Sequence, residues 1–138
     1  MRKNTDELLH EIARDESVIA FLTENTDEML RETAVEYLAR VAAEKGLSVA
    51  DASDRSGRGD YVYKVFAGTR KASRDILVAI AFGMSMSAEE TQTLLRLSGT
   101  ARLDPRVRRD AVTLHALLKR RDISYLNELL FDLGERLY

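Results

Sequence analysis

Positive charge is concentrated between residues 53 and 75, in the segment SDRSGRGDYVYKVFAGTRKASRD. Between positions 55 and 74, six basic residues stand against Asp60 as the one acidic residue, although the whole chain has a net charge of −2. Lys and Arg side chains neutralise phosphates and release counterions from nucleic acids, and tyrosine rings stack on bases. The segment is therefore a candidate nucleic-acid surface. The alternative is a solvated charged surface around a turn.

Two further segments have a strong charge imbalance. Residues 1–45 contain six basic and eleven acidic residues, whereas residues 101–121 contain seven basic and two acidic ones. Three roles are open to Arg106, Arg108 and Arg109 in the second of these segments. The first role is to extend a track of phosphate contacts, the second is to bind an acidic surface of a partner, and the third is to pair with the acidic N-terminal helices. The charge pattern alone favours none of these roles.

No residue pattern in the chain indicates catalysis or a bound metal. Cysteine is absent, which excludes disulfides and thiolate metal sites. His10 and His115 are isolated, without a second histidine at ligand spacing. Acidic pairs such as Asp6-Glu7 fall in expected first helical turns, where the helix dipole stabilises them. We therefore expect a protein that is not an enzyme and uses no cofactor and no metal.

Length and composition are those of an ordinary globular chain. The 138 residues are 45% hydrophobic and 32% charged, which predicts a single folded domain. No apolar run approaches the roughly 18 residues that a membrane span requires. The start of the chain is too acidic and too amphipathic for a secretory signal. We expect a cytoplasmic protein with no membrane segment.

The sequence predicts an all-α fold, a compact bundle of about eight helices. Good helix formers dominate long stretches, and the chain contains one proline. Apolar residues at helical spacing predict a first helix from Thr5 to about residue 25. Asn25 to Glu28 is expected to begin a second helix, which runs through Leu30 to a cap at Gly46.

Capping side chains predict where the later helices begin. Ser48 opens a short helix that stops at Ser56-Gly57, and a second short helix covers residues 59–67. The predicted N-caps of the remaining helices are Ser73, Ser87, Asp104 and Asp122. Within the single domain, this divides the chain into an N-terminal helix (1–25), a core (30–97) and a C-terminal helical extension (104–138).

The two short helices are joined by a tight turn that contains glycine, which is the pattern of a helix-turn-helix. In such a motif the second helix packs on the first through a few small apolar residues. Its other face is free to enter the major groove of DNA.

The segments LARVAAEKGLSVADASDRSG and VYKVFAGTRKASRDILVAIAFGMSMSAEET resemble the phage-repressor type of helix-turn-helix regulator, the Xre-like family. In that family Gly-Leu-Ser opens a short helix that ends in Ser-Gly. A recognition helix, a glycine turn with basic residues and a Ser-capped helix follow. The residues in step with this pattern are Gly46-Leu47-Ser48, Ser56-Gly57, Gly68-Thr69-Arg70-Lys71, Ser73 and Gly83 through Glu90. The resemblance covers residues 30–97, and the C-terminal part resembles the helical extension of a subset of these regulators.

This resemblance implies a sequence-specific regulator of transcription that binds double-stranded DNA, with a recognition helix at about residues 59–67. Val62 and Val65 take its buried positions. The residues expected to contact DNA are Arg58, Asp60, Tyr61, Tyr63, Lys64, Thr69, Arg70, Lys71 and Arg74. Lys64 falls where relatives read a base. Arg58 and Tyr61 reach base edges or phosphates, and the last four residues face the DNA backbone.

Two of these assignments have competing interpretations. Asp60 either caps its own helix or accepts from a cytosine amino group, and the cap is the preferred interpretation. Tyr61 and Tyr63 either form a stacking platform or pack half-buried against the protein. Packing is preferred, because residues at i and i+2 of a helix point in different directions.

An alternative function is a helix-turn-helix scaffold that binds protein, as an antitoxin-like or kinase-associated adaptor with weak or no DNA binding. Val49 stands where the family often has glutamine, and Phe66-Ala67 replaces its usual Glu-Asn. The segment near GRGD is also about one residue short. For the DNA-binding interpretation, leucines of the C-terminal segment SYLNELLFDLGERLY that we expect to be exposed suggest a homodimer, which would present two recognition helices to half-sites about one DNA turn apart.

Overall fold

The computed structural model describes residues 3–29 and 32–138. It confirms the all-α prediction, since these residues form nine α-helices and one 3-10 turn and none of them lies in a β-strand. The chain divides into two compact units, with the boundary between residues 31 and 32. The first unit precedes this boundary and the second unit follows it. Within the described ranges, no helix has both the length and the apolar character that crossing a membrane requires.

The helices follow one another with short connections. In chain order they are α1 (Thr5–Arg14), α2 (Val18–Glu24), α3 (Ala34–Lys45), α4 (Val49–Ser56), α5 (Asp60–Phe66), α6 (Arg74–Gly83), α7 (Ala88–Leu97), α8 (Arg108–Leu118) and α9 (Ile123–Asp132).

The prediction of one long N-terminal helix is wrong, because the chain breaks between α1 and α2. Asp15 adopts an extended backbone, and the side chain of Ser17 accepts a hydrogen bond from the backbone N–H of Ala20 to begin a new helix. A serine that satisfies the free N–H groups of a new first turn competes with continuation of the old helix.

The segment from Asn25 to Glu28 does not begin the next long helix either. Residues Thr26–Glu28 form a single 3-10 turn, and α3 begins at Ala34 with Thr33 as its N-cap. Asn25 is buried, and its side chain donates to the Glu11 carboxylate and to the carbonyl of Phe21 while it accepts from Lys3. The predicted helical residue Leu30, and the predicted boundary at residue 30, lie outside the described residues.

Most of the predicted caps in the second unit are confirmed. Ser48 and Ser87 each form a capping box with the acidic residue three positions later, and Ser73 and Asp122 cap α6 and α9. The exception is Asp104, predicted to begin α8. Its carboxylate instead accepts from the N–H of Arg106 in a separate turn, and α8 starts four residues later, with Val107 at the N-cap position.

α6 is the central helix of the second unit. All of its residues from Leu77 to Gly83 are buried, as expected for a helix that is hydrophobic all round. It packs against α4, α7 and α9, and α4 in turn packs against α5. α5 also packs against α3. The position of α5 is therefore set by α4 and α3, and that of α4 by α6.

The contact between α4 and α6 depends on Gly83. A Cβ atom at this position would lie 2.8 Å from the carbonyl oxygen of Ala52 and 2.9 Å from the backbone nitrogen of Ser56. Both atoms belong to the backbone of α4, so no side-chain movement relieves the overlap. Glycine lets the two helix backbones approach each other closely.

We expect Gly83→Ala to destabilise the protein by about 1–3 kcal/mol, the usual effect of overpacking a core. The sign is informative, because in open space alanine would stabilise a helix by up to about 1 kcal/mol relative to glycine. Urea unfolding followed by circular dichroism measures the change. An unchanged or raised free energy of unfolding for Gly83→Ala would show that α4 and α6 do not meet as described.

Candidate nucleic-acid interface

The turn between α4 and α5 consists of Gly57, Arg58 and Gly59. Both glycines have positive φ, and Gly59 combines φ 56° with ψ −134°, a conformation that residues with a Cβ atom avoid. The hydroxyl of Ser53 donates to the carbonyl of Gly59 at 2.9 Å, and the backbone N–H of Arg58 donates to the Ser56 hydroxyl at 3.3 Å. These bonds hold the start of α5 against the end of α4.

α5 has one inward and one outward face. Val62 and Val65 are buried, which confirms their predicted positions, and Phe66 packs half-buried beside them. Asp60, Tyr63 and Lys64 are exposed. At 100° per residue these three lie on the side opposite the two valines. The outward face of α5 therefore presents one cation, one phenol and one carboxylate.

Tyr61 packs against the protein, as the preferred interpretation has it. Its side chain is half-buried against the core, its hydroxyl donates to the carbonyl of Lys71 at 3.4 Å, and the guanidinium of Arg70 lies 4.8 Å from its ring centroid. This cation–π contact orients Arg70. Tyr63 differs, because 46% of its surface is exposed.

The preferred role of Asp60 as a helix cap is wrong. Gly59 occupies the N-cap position of α5, and no side chain caps this helix. Asp60 is the first helical residue, and its carboxylate is exposed. It gains some stabilisation from the helix dipole. Toward a ligand, however, it presents a negative charge in the middle of the outward face.

The cations around α5 form no ion pairs within the fold. Within residues 3–29 and 32–138, none of Arg58, Lys64, Arg70 and Lys71 forms an ion pair with a carboxylate. Lys64, Arg70 and Lys71 are exposed and Arg58 is half-buried. Thr69 is exposed as well, and its N–H and hydroxyl both donate to the carbonyl of Lys64, at 3.1 and 3.2 Å. This pair of hydrogen bonds folds the loop between α5 and α6, residues 67–73, back onto the end of α5. We call this segment the basic loop.

Arg74 is part of the fold. Four of its five N–H donors are used inside the protein, by both carboxylate oxygens of Asp110 and by the carbonyls of Ala101 and Arg102. The shortest of these hydrogen bonds, to Asp110, is 2.7 Å. The side chain therefore fastens the first turn of α6 to α8, and this geometry leaves it little capacity to hold a DNA phosphate.

A second internal pair lies beside it. The buried guanidinium of Arg109 donates to the carboxylate of Asp75 at 2.9 and 3.2 Å and to the carbonyls of Arg136 and Leu137. Its charge also lies 3.8 Å from the ring centroid of Tyr138. Arg109 thus joins α6, α8 and the C-terminal segment.

Arg106 and Arg108, whose roles the sequence left open together with that of Arg109, also form ion pairs. Arg106 lies 3.9 Å from Asp104, and Arg108 lies 3.5 Å from Glu135. Since both are strongly exposed, these ion pairs contribute little stability.

The Arg109–Asp75 and Arg74–Asp110 pairs are half-buried, and both lower the pKa of their carboxyl in the same way. Burial would by itself raise the pKa of Asp75 and of Asp110. Hydrogen bonds and charge from Arg109 and Arg74 outweigh burial, and the pKa of each carboxyl lies below its usual value. Both carboxylates are therefore ionised at neutral pH and bind their arginines as full charges.

Neither histidine belongs to α5 or to the loop that follows it. His10 is exposed on α1 and His115 is exposed on α8. Among the described residues, no cluster of three or more His, Asp or Glu side chains could hold a metal ion.

Comparisons with protein families, with curated proteins and with solved structures found no match to this chain. The resemblance to Xre-like regulators therefore stays a prediction, which rests on the sequence motifs alone.

Sequence reasoning missed the two internal pairs. Arg74 and Asp110 are 36 residues apart, and nothing in the local pattern of either residue distinguishes it from a surface charge. The one available signal is that Arg74 and Asp75 directly precede the uninterrupted apolar run ILVAIAF. Charges at the end of a buried helix are held against other elements and tend to need partners there.

We expect Asp110→Asn to lower the free energy of unfolding at pH 7 by about 3 kcal/mol, because it leaves the Arg74 guanidinium without its counter-charge. Since folding lowers the pKa of Asp110, its carboxylate stabilises the native state above the unfolded-state pKa of about 3.9. That contribution disappears as the pH falls through the lower folded-state pKa. In urea titrations, the stability gap between wild type and variant should shrink from pH 7 to pH 3.

Asp54→Asn is the matched control, because Asp54 is exposed on α4 and has no ion pair among the described residues. It should change stability by less than about 0.5 kcal/mol at either pH. An Asp110→Asn gap that stays the same from pH 7 to pH 3 would contradict the assignment of this pair.

Proposed function

We propose that the protein is a sequence-specific regulator of transcription that binds double-stranded DNA with α5, as a helix-turn-helix. The observation that supports this best is the set of unpaired cations Arg58, Lys64, Arg70 and Lys71 on and beside one short helix. Cations at structural positions, such as Arg74 and Arg109, have carboxylate partners instead. Unpaired cations around an outward-facing helix are suited to the phosphates that flank a groove.

The dimensions of α5 suit the major groove. With its side chains an α-helix is about 10–12 Å across, which a groove about 12 Å wide admits, and the seven residues of α5 give it a length of about 10 Å. Lys64 donates to the O6 and N7 acceptors of guanine, the interaction that a cation makes most often with a base edge. The contact of Lys64 with guanine is flanked by Arg58, Tyr61 and Tyr63. The DNA phosphates are held by Thr69, Arg70 and Lys71. Arg74 positions α6.

Asp60 has a defined place in this proposal. A carboxylate at the start of a recognition helix is repelled by phosphates, but it accepts a hydrogen bond from the amino group of cytosine. Its position one turn before Lys64 fits a site in which cytosine and guanine lie close together. Asp60 then contributes specificity at the cost of affinity.

A cytoplasmic homodimer completes the proposal. In the C-terminal segment Leu126 and Leu130 are buried in the core, so they do not form a dimer interface. Phe131, Leu133 and Leu137 are exposed apolar residues of this segment, and Phe131 is 74% exposed. We expect these three to meet their counterparts in a second copy.

Selection from a random duplex library by the purified full chain tests this function. We expect one sequence motif to be enriched, and Lys64→Ala to relax the preference at one position with a decrease of about 1–3 kcal/mol in discrimination. Asp60→Asn should relax a neighbouring position in the same selection. If no motif is enriched and binding to any duplex disappears at moderate salt, the proposed function is wrong.

The phosphate contacts have a separate signature in the salt dependence of binding. We expect the double variant Arg70→Ala/Lys71→Ala to weaken binding to all duplexes alike. It should also flatten the slope of log K against log salt by about 0.9 for each phosphate that the variant no longer neutralises. Fluorescence anisotropy at several salt concentrations measures both quantities.

Lys119→Ala/Arg121→Ala is the matched control, with the same change of charge. These residues follow α8, next to Arg120, which donates to the carbonyl of Ser85 at 3.5 Å just beyond the C-terminal end of α6. Ten-residue α6 separates this site from the basic loop by about 15 Å. Equal changes of slope in the two double variants would mean that binding follows net charge and does not involve the loop.

A protein partner is the alternative function, and the exposed carboxylate of Asp60 in the middle of the α5 face favours it. An adaptor of the antitoxin-like or kinase-associated kind would form a stoichiometric complex that competitor DNA does not disturb. The duplex selection distinguishes the two functions, because an adaptor enriches no motif.

A further inference from the structure

A cleft lies beneath the basic loop that follows α5. It has a volume of about 290 Å³ and is open to solvent on one side. Its walls come chiefly from α3, α5, α6 and the loop before α6. The half-buried residues Ala34, Val35 and Ala72 give the cleft an apolar surface. It is also lined by three residues of the buried core, namely Leu38, Val65 and Leu77. Sequence reasoning gave no sign of it, because these three side chains belong to three different helices.

The mouth of the cleft is positively charged. Arg70 and Lys71 line it, and neither has an ion-pair partner among the described residues. The first turn of α3, from Thr33 to Val35, lines it as well, so the positive end of that helix dipole faces the same space. Among the residues that the structure describes, no carboxylate lines the cleft.

One polar group of the lining has no partner. Ser98 lines the cleft, and its buried hydroxyl oxygen makes no hydrogen bond within residues 3–29 and 32–138. An unsatisfied buried hydroxyl is costly and is usually matched by a ligand, a water molecule or an ion. Apolar walls, two unpaired cations and one unpaired hydroxyl together describe a site for an amphipathic anion.

We propose that this cleft binds a small carboxylic acid with an apolar body, either aromatic or short-chain aliphatic. A cavity of about 150 Å³ takes one benzene ring, so this one has room for a ring or a short chain and its carboxylate. The apolar body contacts the half-buried residues Ala34, Val35 and Ala72. The carboxylate accepts hydrogen bonds from Arg70 and Lys71.

Such a ligand would regulate DNA binding, a consequence that rests on the proposed function. Arg70 and Lys71 are the same cations that hold phosphates in that proposal, so the ligand and the DNA compete for them. Arg70 also lies over the ring of Tyr61 on α5, which connects the cleft directly with the proposed recognition helix. Occupancy of the cleft should therefore release the protein from DNA, and DNA should weaken the ligand by the same factor.

The experiment uses the ¹⁵N-labelled full chain, titrated with sodium benzoate and with sodium hexanoate at constant ionic strength. Benzamide is the uncharged counterpart of benzoate and serves as the matched probe. We expect saturable chemical-shift changes at the amides of Val35, Gly68 and Ser98 with either acid. Benzamide should bind at least about tenfold more weakly, since it lacks the charge that strengthens hydrogen bonds to Arg and Lys.

Two variants test the two parts of the site separately. Arg70→Ala/Lys71→Ala should weaken benzoate by about tenfold or more, whereas Lys119→Ala/Arg121→Ala should leave it unchanged. Ala72→Leu fills the cleft from its wall and should abolish binding, with circular dichroism to verify that the variant is folded. The proposal is overturned if the shifts do not saturate, if they map to other residues, or if benzamide binds as well as benzoate.

A measurement of DNA binding in the presence of benzoate distinguishes failure of this proposal from failure of the proposed function. Addition of benzoate to the complex with a selected duplex should raise the apparent Kd of DNA. If the protein binds benzoate in the cleft but no duplex, the DNA-binding function fails and the ligand site stands. If it binds the duplex but no acid, the ligand site fails and the DNA-binding function stands.

Discussion

The close approach of α6 to α4 at Gly83 is the constraint on which the rest of the second unit depends. Because the two backbones nearly touch, α4 has one position on α6, and the short turn of Gly57, Arg58 and Gly59 then gives α5 one position on α4. A short helix of seven residues is not stable by itself in water. The orientation of its outward face is thus a property of the core, and glycine at position 83 is what makes that core fit.

The other end of α6 is held by charge. Arg74 and Asp75 lie in its first turn and pair with Asp110 and Arg109 of α8, so two oppositely directed ion pairs join the same two helices. Buried pairs of this kind add little to stability, because desolvation offsets attraction, but a wrongly placed helix would leave charges unpaired. The apolar body of α6 supplies the stability. Its charged end fixes which neighbour it meets and in which register.

Local patterns predicted the elements that local interactions create. The capping boxes at Ser48 and Ser87, the glycine at the end of α3 and the buried valines of α5 were readable, since each depends on residues within one turn. The errors have the same origin. Ser17 and Asp104 make local bonds that compete with the expected helices, and Asp60 cannot cap because Gly59 already occupies that position. The internal role of Arg74 and the cleft depend on residues far apart in sequence, and no window of the chain contains them.

The distribution of paired and unpaired cations connects the fold with the proposed functions. An arginine that holds two helices together loses conformational freedom and most of its donors, as Arg74 and Arg109 do, and is of little use to a ligand. Arg70 and Lys71 keep their donors because the loop is positioned by other means, namely Tyr61 and the folding of Thr69 onto Lys64. The protein thus separates the groups that determine its structure from the groups that are free to bind. Arg70 and Lys71 lie both beside α5 and at the mouth of the cleft. A ligand that binds these two side chains would therefore affect the proposed DNA surface and the cleft together.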